Sequence, residues 1–167
     1  MNSIIDTLLP AFSFHVGFIA EDQGLSLGNI TGLIAGGFSE VSGLDNSMSI
    51  ETYLEGGVND RVHRLPGRFE PANITLTHGT GLSDDLWNWL AVWQRGEAER
   101  RSMFIMLANA QQIPIKIWAA ERALPVKFTG PSLNASSSAL AIEKLEIAPE
   151  KLTLLLSPGF ATSAMGL

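Results

Sequence analysis

The sequence predicts a mostly β protein, a β-sandwich or barrel of about eight strands with one flanking α-helix near residues 83–95. Three observations predict this class. Apolar and polar residues alternate over most of the chain, which is typical of strands with one buried face. Glycine is frequent, at 16 of 167 residues, which favours turns over long helices. Only one segment repeats its apolar residues at helical spacing.

Alternation and turn residues place the strands. Phe12, Phe14 and Phe18 share one face and predict the first strand. Residues 24–37 are rich in glycine and predict a loop or a bent hairpin. Residues 56–68 combine charged residues with GG and PG turn pairs and predict an exposed excursion. The remaining strands are expected within 38–55, from 74, and at 102–108, 113–119, 125–129, 139–148 and 152–156.

The helix is predicted from its caps and its apolar stripe. Ser83 suits the N-cap, acidic residues follow it at the positive end of the helix dipole, and Gly96 can end the helix. Four apolar residues recur at i, i+3, i+4 and i+7: Leu86, Trp89, Leu90 and Trp93. A tryptophan ladder for stacking nucleic-acid bases would need adjacent basic residues. Only Arg95 is near, so core packing is the favoured interpretation.

The C-terminal third contains one irregularity and a tail. The apolar set of residues 139–148 changes phase halfway, which predicts a β-bulge near Glu143-Lys144. Residues 159–167 are rich in small side chains and predict a flexible C-terminal tail. We therefore expect a single domain over residues 1–158, a length that one hydrophobic core can support.

Charge is scarce and unevenly placed. Charged residues make up 17% of the chain, against about 25% in a typical soluble domain. Two explanations compete: other subunits cover much of the surface, or Ser, Thr, Asn and Gln coat it. Residues 1–60 hold eight acids and no Lys or Arg. This segment is either an acidic solvated face or a surface that repels something negative or meets a basic partner. Because no basic block exists, phosphate-neutralising nucleic-acid binding is not expected.

No arrangement of residues typical of catalysis or metal binding is present. Cysteine is absent, and His15, His63 and His78 are scattered without metal-ligand spacing. The chain has neither a Gly-x-Ser-x-Gly elbow nor a phosphate loop. We expect no enzymatic activity, no metal and no cofactor. The sequence shows no secretory signal and no membrane anchor, so cytoplasmic synthesis is expected. Exposed sheet edges that carry few charged residues can pair with another chain, which favours a homo-oligomer.

An ordered set of segments resembles a known family. The segments are Phe14-x-Val16-x-Phe18, Phe38–Leu44, Glu51–Asn59, Leu65-Pro66-Gly67, Ile74–Gly79, the tryptophan helix, Pro125–Pro131, Leu133–Ala135 and Ala141–Ala148. In this order and spacing they resemble the inner-tube proteins of contractile injection systems, the phage tail-tube family. The resemblance covers about residues 12–156, nearly the whole chain.

This resemblance implies a structural role. Family members form hexameric rings by strand pairing, and the rings stack into a rigid tube inside a sheath, between a baseplate and a cap. The tube conducts DNA or protein effectors as part of a phage tail or of a phage tail-like particle that can be released from bacteria. The resemblance also implies that the longer stretch Asp45–Arg68, which includes the excursion, meets the neighbouring ring. The expected contact residues are Asp45, Glu51, Tyr53, Glu55, Gly56, Gly57, Asn59, Arg61, Arg64, Pro66, Gly67 and Arg68.

The sequence leaves two alternatives, one for the function and one for the location of the acidic residues. A stand-alone β-barrel that binds a small apolar ligand is the alternative from another class, and it predicts a monomer. Within the tube interpretation, the acids of residues 1–60 suggest a negative lumen or a negative ring face.

Overall fold

The computed structural model describes residues 14–19, 37–80, 84–109, 113–134, 136 and 140–156. The described chain contains nine strands and one helix: β1 (Phe14–Ile19), β2 (Phe38–Ser42), β3 (Asn46–Tyr53), β4 (His63–Pro71), β5 (Ile74–Gly79), α1 (Asp85–Gln94), β6 (Arg101–Ala108), β7 (Pro114–Thr129), β8 (Ile142–Ala148) and β9 (Lys151–Leu156). Phe12, most of the glycine-rich segment 24–37, Ser83 and the tail 159–167 lie outside the described residues.

Two antiparallel sheets share one long strand. Sheet 1 has the order β1-β6-β7-β9 and sheet 2 the order β2-β5-β8-β7. The first half of β7 pairs in sheet 1 and its second half, from Leu124, pairs in sheet 2. Between the halves Arg122 adopts a positive φ of 50°. Glu150 accepts hydrogen bonds from Arg100 and Arg122, at 3.0 Å each, beside this bend.

The core fills the space between the two sheets. Val16 and Ile105 of sheet 1 face Leu76 and Leu145 of sheet 2, and all four are buried with Trp89 of α1. The sandwich prediction is confirmed, and in the described residues the sheets do not close into a barrel, since β1 and β2 are unpaired edges. The strands expected separately at 113–119 and 125–129 are one strand, β7, because pairing with β6 and β9 before Arg122 and with β8 after it continues on both sides of the bend.

The outer faces of the two sheets differ in chemistry. The outer face of sheet 1 is apolar, with Ile19, Phe104 and Ile117 in a second buried cluster. The outer face of sheet 2 is mostly polar by register, with Ile142 as an exposed apolar exception. Its polar residues include Glu40, Ser42, Thr75, Lys127, Thr129, Lys144 and Glu146. All seven are exposed or half-exposed. Sheet 2 therefore has one face in the core and one suited to water.

Helix α1 is confirmed at the place the apolar stripe predicts. Trp89 is buried and donates its indole N–H to the Glu99 carbonyl (2.9 Å), while Leu86 and Trp93 pack against the core and Leu90 is half-buried. Gly96, with a φ of +82°, ends the helix and donates its N–H to Trp93. Asp84 occupies the N-cap position without a side-chain capping bond.

The predicted bulge near Glu143-Lys144 is wrong. Strand β8 pairs with β5 in unbroken register from Ile142 to Ile147. The irregularity lies in the partner strand β7, where the register shifts between Pro125 and Lys127. Alternation thus continues through β8, so Ile142 points outward, where it is partly exposed. The apolar pattern changes phase in the sequence because β8 begins with Ile142, an apolar residue on the exposed face of the strand.

Candidate assembly surfaces

An exposed two-stranded ribbon projects from the sandwich. We call residues 46–71, strands β3 and β4 with their connecting turn, the ribbon. These strands pair only with each other. The base is closed by a hydrogen bond from the Ala72 N–H to the Asp45 carbonyl (2.9 Å), and Asn46 Nδ2 donates to the Leu152 carbonyl of β9 (3.0 Å). The predicted excursion at 56–68 is therefore partly a strand, because β4 begins at His63.

The ribbon has one apolar face. The register pairs Met48 with Phe69 and Ile50 with Pro66, and alternation directs these side chains to the same side. Exposed fractions are 40% for Met48, 54% for Ile50 and 73% for Phe69. Because nothing in the described chain covers them, this face presents a row of large apolar groups to the outside.

The opposite face of the ribbon is mostly polar. It carries Ser47, Ser49, Glu51 and Tyr53, with Leu65 as an exposed apolar exception. Ser49 Oγ accepts the N–H of Arg68 (2.9 Å) and ties the strands together where the register shifts between Met48 and Ile50. Amphipathic strands of this kind are stable when their apolar side is covered.

The tip of the ribbon is held by short-range polar contacts. The Glu55 carboxylate lies 2.9 Å from His63 Nε2, and the ring of His63 lies against that of Tyr53 with centroids 6.2 Å apart. Asp60 and Arg61 form an exposed ion pair at 3.6 Å. The tip is thus ordered by its own side chains and offers charges of both signs to a partner.

The ribbon and its base contain all twelve residues predicted for ring contact. Eleven are exposed and Gly67 is half-buried. Sequence reasoning selected the charged and turn residues there but left out the large apolar ones, Met48, Ile50, Leu65 and Phe69. Their alternation was the signal that could have found them, because an alternating strand with no buried face in its own chain requires a partner.

A second surface is an apolar cleft at the open side of the sandwich. We call this pocket, between edge strands β1 and β2, the cleft; its volume is about 320 Å³. Its apolar lining is Phe14, Val41, Leu44, Ile105, Leu107 and Trp118, and Ser39 and Glu40 of β2 complete it.

In the described ranges, no three His, Asp or Glu side chains gather in a way that could hold a metal ion. None of the described helical residues forms a helix of the length and hydropathy that a bilayer crossing needs.

The fold and the ribbon define a β-sandwich with a projecting ribbon whose apolar face is exposed. A family model described as T4-like virus tail tube protein gp19 matches residues 10–153. The chain belongs to this tail tube family, and the family resemblance seen in the sequence is confirmed. It is a structural subunit of the tail tube type.

Solved structures agree with this fold. A chain from the anti-feeding prophage baseplate is 23% identical with a TM-score of 0.78, over 92% of this chain and 99% of that one. A chain from the sheath/tube terminator of an extracellular contractile injection system, PVC, is 25% identical with a TM-score of 0.74, over 90% and 98%. Hcp1 from Flavobacterium johnsoniae is 14% identical with a TM-score of 0.51, over 84% and 94%. No curated protein sequence matches significantly.

Proposed function

We propose that six copies of this chain form a ring and that the rings stack into a rigid tube, which serves as the conduit for DNA or protein cargo. The observation that carries this proposal is the ribbon, whose apolar face is exposed although its strands are ordered. Burying Met48, Ile50 and Phe69 against a neighbour would remove this apolar area from water, at roughly 25 cal/mol per Å². The ribbon thereby becomes the contact between rings.

Free strand edges support ring closure. Sheet 2 ends in β2 on one side and in the second half of β7, residues 124–129, on the other. Both edges leave backbone N–H and C=O groups without a strand partner in the described chain. Pairing one edge with the opposite edge of the next copy satisfies these groups and extends sheet 2 around the ring. Repeated through a rotation that closes, this head-to-tail contact gives a ring.

The polar face of sheet 2 supports its placement around the lumen. A sheet that lines a water-filled channel needs one face in its own core and one polar face, and sheet 2 meets this requirement. Two lysines, Lys127 and Lys144, balance two glutamates, Glu40 and Glu146, on that face. Balanced charge favours passage of cargo without tight binding.

The structure describes five of the eight acids of the first sixty residues, and three of these five lie on the ribbon. Of the five described ones, Glu51, Glu55 and Asp60 lie on the ribbon, Asp45 lies at its base, and Glu40 lies on sheet 2. This distribution favours a ring face over the lumen as the location of these acids. Because Arg61, Arg64 and Arg68 lie on the same ribbon, the acids of one ring would meet arginines of the stacked ring.

A tube of this kind requires other proteins around it and at its ends. We expect a sheath protein outside, and baseplate and cap proteins at the tube ends. Synthesis in the bacterial cytoplasm and assembly into a phage tail or a releasable injection particle complete the proposal. The role is mechanical and requires neither catalysis nor a cofactor.

The test uses two ribbon residues of similar exposure on opposite faces. Ile50 is 54% and Leu65 is 51% exposed. We expect the wild type to form rings or hollow filaments in negative-stain electron microscopy at high protein concentration. Ile50→Ser combined with Phe69→Ser should abolish stacking, because the contact face becomes polar. Leu65→Ser is the matched control and should stack like the wild type.

Two results contradict the proposal. A wild type that sediments only as an 18.0 kDa monomer at high concentration would support the alternative, a monomeric β-barrel with a small apolar ligand. If filaments form equally well with both apolar-face residues replaced, the ribbon is not the contact between rings.

A further inference from the structure

We propose that a pocket beside the first turn of α1 binds the guanidinium group of an arginine side chain presented by a partner protein. We call it the α1 pocket, and its volume is about 320 Å³. Six residues line it: His78, Asp84, Leu86, Trp87, Phe128 and Glu143. The α1 pocket shares no lining residue with the ribbon or the cleft. It therefore adds a recognition site to the proposed tube function and does not depend on ring stacking.

The α1 pocket forms where the core side of sheet 2 ends. Leu76 of β5 and Leu145 of β8 are buried in the core. Alternation places His78 and Glu143, each two residues further out, on the same side of the sheet, and the register pairs them with each other. The first turn of α1 lies beside this end of the sheet and supplies Asp84. Two acids that are distant in sequence thus line one pocket.

The lining of the α1 pocket is acidic and contains no cation of its own. Asp84 and Glu143 carry two negative charges, and no lysine or arginine is among the described lining residues. The Asp84 carboxylate makes no capping bond to α1 and no ion pair with another described residue. The charged-group contact of Glu143 in the described chain is with His78. A pocket lined by charges of one sign attracts a ligand of the opposite sign.

His78 adds a hydrogen-bond acceptor that lacks a donor. Its Nδ1 lies 2.7 Å from the Gly79 carbonyl oxygen, which only accepts, so Nδ1 carries the hydrogen of the neutral ring and Nε2 is an acceptor. Nε2 is buried, lies 3.3 Å from a carboxylate oxygen of Glu143 and has no hydrogen bond within the described chain. Two acceptors therefore face each other. A guanidinium group has five N–H donors and no acceptor, so it can donate to both.

Two aromatic rings complete the α1 pocket. Trp87 and Phe128 meet edge to face with ring centroids 5.1 Å apart, and Trp87 is 47% exposed. A cation within roughly 6 Å of a tryptophan ring is attracted to it, and a planar guanidinium also stacks on the ring, which an ammonium cannot do. The chain contains this combination elsewhere: the Arg101 guanidinium lies 5.1 Å from the centre of the Trp89 ring and pairs with Glu99 at 2.8 Å. We therefore expect arginine to bind more tightly than lysine.

A metal ion and an anion fit the α1 pocket less well than an organic cation. In the described ranges, His78, Asp84 and Glu143 do not form a group that could hold a metal ion. An anion would meet two carboxylates and no basic lining group. Pockets that bind organic groups begin at roughly 300 Å³, and the α1 pocket has about 320 Å³. Asp84 and Trp87 are exposed, so a side chain of another protein can enter beside them.

Fluorine NMR of the full chain tests the ligand. The chain has four tryptophans, so labelling with fluorotryptophan gives one signal for each, and Trp87→Phe identifies the signal of Trp87. N-acetyl-arginine N-methylamide should shift this signal with a dissociation constant on the order of 1 mM. The corresponding lysine analogue should bind several-fold more weakly. The citrulline analogue, which has a similar shape and no charge, should cause no shift at the same concentrations.

Neutral substitutions test the location. Glu143→Gln and Asp84→Asn should each weaken binding of the arginine analogue roughly tenfold, because each removes one carboxylate from the α1 pocket. Glu146→Gln removes the same charge from the outer face of β8 and is the matched control. It should bind within about twofold of the wild type, because salt screens a charge outside the pocket. Asp84 is exposed, so Asp84→Asn provides the test if Glu143→Gln unfolds the chain.

Four results would overturn this proposal. Absence of a shift with the arginine analogue means that the α1 pocket does not bind it. Equal binding of the citrulline analogue means that charge is not recognised, and equal binding of the lysine analogue means that the guanidinium is not. An equal loss in Glu146→Gln means that the acidic chain attracts cations without a defined site. Because a single copy carries the whole lining, a chain that binds the arginine analogue but never assembles contradicts the tube function and leaves the α1 pocket assigned.

Discussion

Two connecting segments lie close together at the base of the ribbon, residues 43–45 between β2 and β3 and residues 72–73 between β4 and β5. Their contact provides a test of the fold. Gly43 lies between β2 and β3 and has a φ of +85°. A Cβ there would overlap the Asn73 carbonyl oxygen and lie 3.0 Å from its carbonyl carbon and 3.1 Å from Ile74 Cα. Asn73 belongs to the returning link between β4 and β5. Gly43→Ala should therefore force the two links apart where they leave sheet 2.

The magnitude comes from two contributions. The positive φ costs alanine about 1–2 kcal/mol, offset by about 0.4–1 kcal/mol because alanine restricts the unfolded chain. Steric overlap with rigid backbone adds about 1–3 kcal/mol. Gly96 isolates the first contribution, because it has a similar φ of +82° and open space where a Cβ would lie. We expect losses in the free energy of unfolding of about 3 kcal/mol for Gly43→Ala and about 1 kcal/mol for Gly96→Ala.

Urea unfolding followed by tryptophan fluorescence measures both values. The measurement belongs at a protein concentration at which the chain is monomeric, since assembly would add its own stabilisation. The linear dependence on urea gives the free energy of unfolding of each variant. If Gly43→Ala loses no more stability than Gly96→Ala, the two links are not in close contact and the described geometry of the ribbon base is wrong.

Two further predictions use the same assay. Trp89→Phe should lose about 2 kcal/mol, because the buried indole gives up its 2.9 Å hydrogen bond to Glu99 and part of its packing; Trp87→Phe, 47% exposed, should lose less than about 1 kcal/mol. An equal loss in both would mean that α1 packs through another face. Leu145→Ala should cost about 2–5 kcal/mol and Leu140→Ala, 86% exposed, less than about 0.5 kcal/mol. A large effect at Leu140 would restore the discarded bulge in β8.

Local patterns predicted the elements well because their causes are local. The i, i+3, i+4, i+7 stripe placed α1, since the residues that meet on a helix face are close in sequence. Alternation placed the strands for the same reason. The helix end at Gly96 followed from the need for a left-handed residue there.

The predictions from sequence were wrong where the pairing between strands decided the local structure. A bulge depends on the partner strand, and here the extra residue lies in β7 and not in β8. The long β7 looked like two strands because Arg122, a residue with no sequence signature of a bend, adopts a positive φ between two sheets. Strand β4 looked like a turn because Pro66 and Gly67 are turn residues, yet they are accommodated at the register shift of an exposed ribbon.

The sequence by itself determined the class of the protein: alternation and the single helical stripe predicted a mostly β fold, and the ordered segments carried the resemblance to tail tube proteins. It also predicted the excursion as a contact region. Only the tertiary structure decided which side of that excursion is apolar, because the facing of Ile50 and Phe69 depends on the register between β3 and β4. The cleft, too, exists only once β1 and β2, distant in sequence, become the edges of one sandwich.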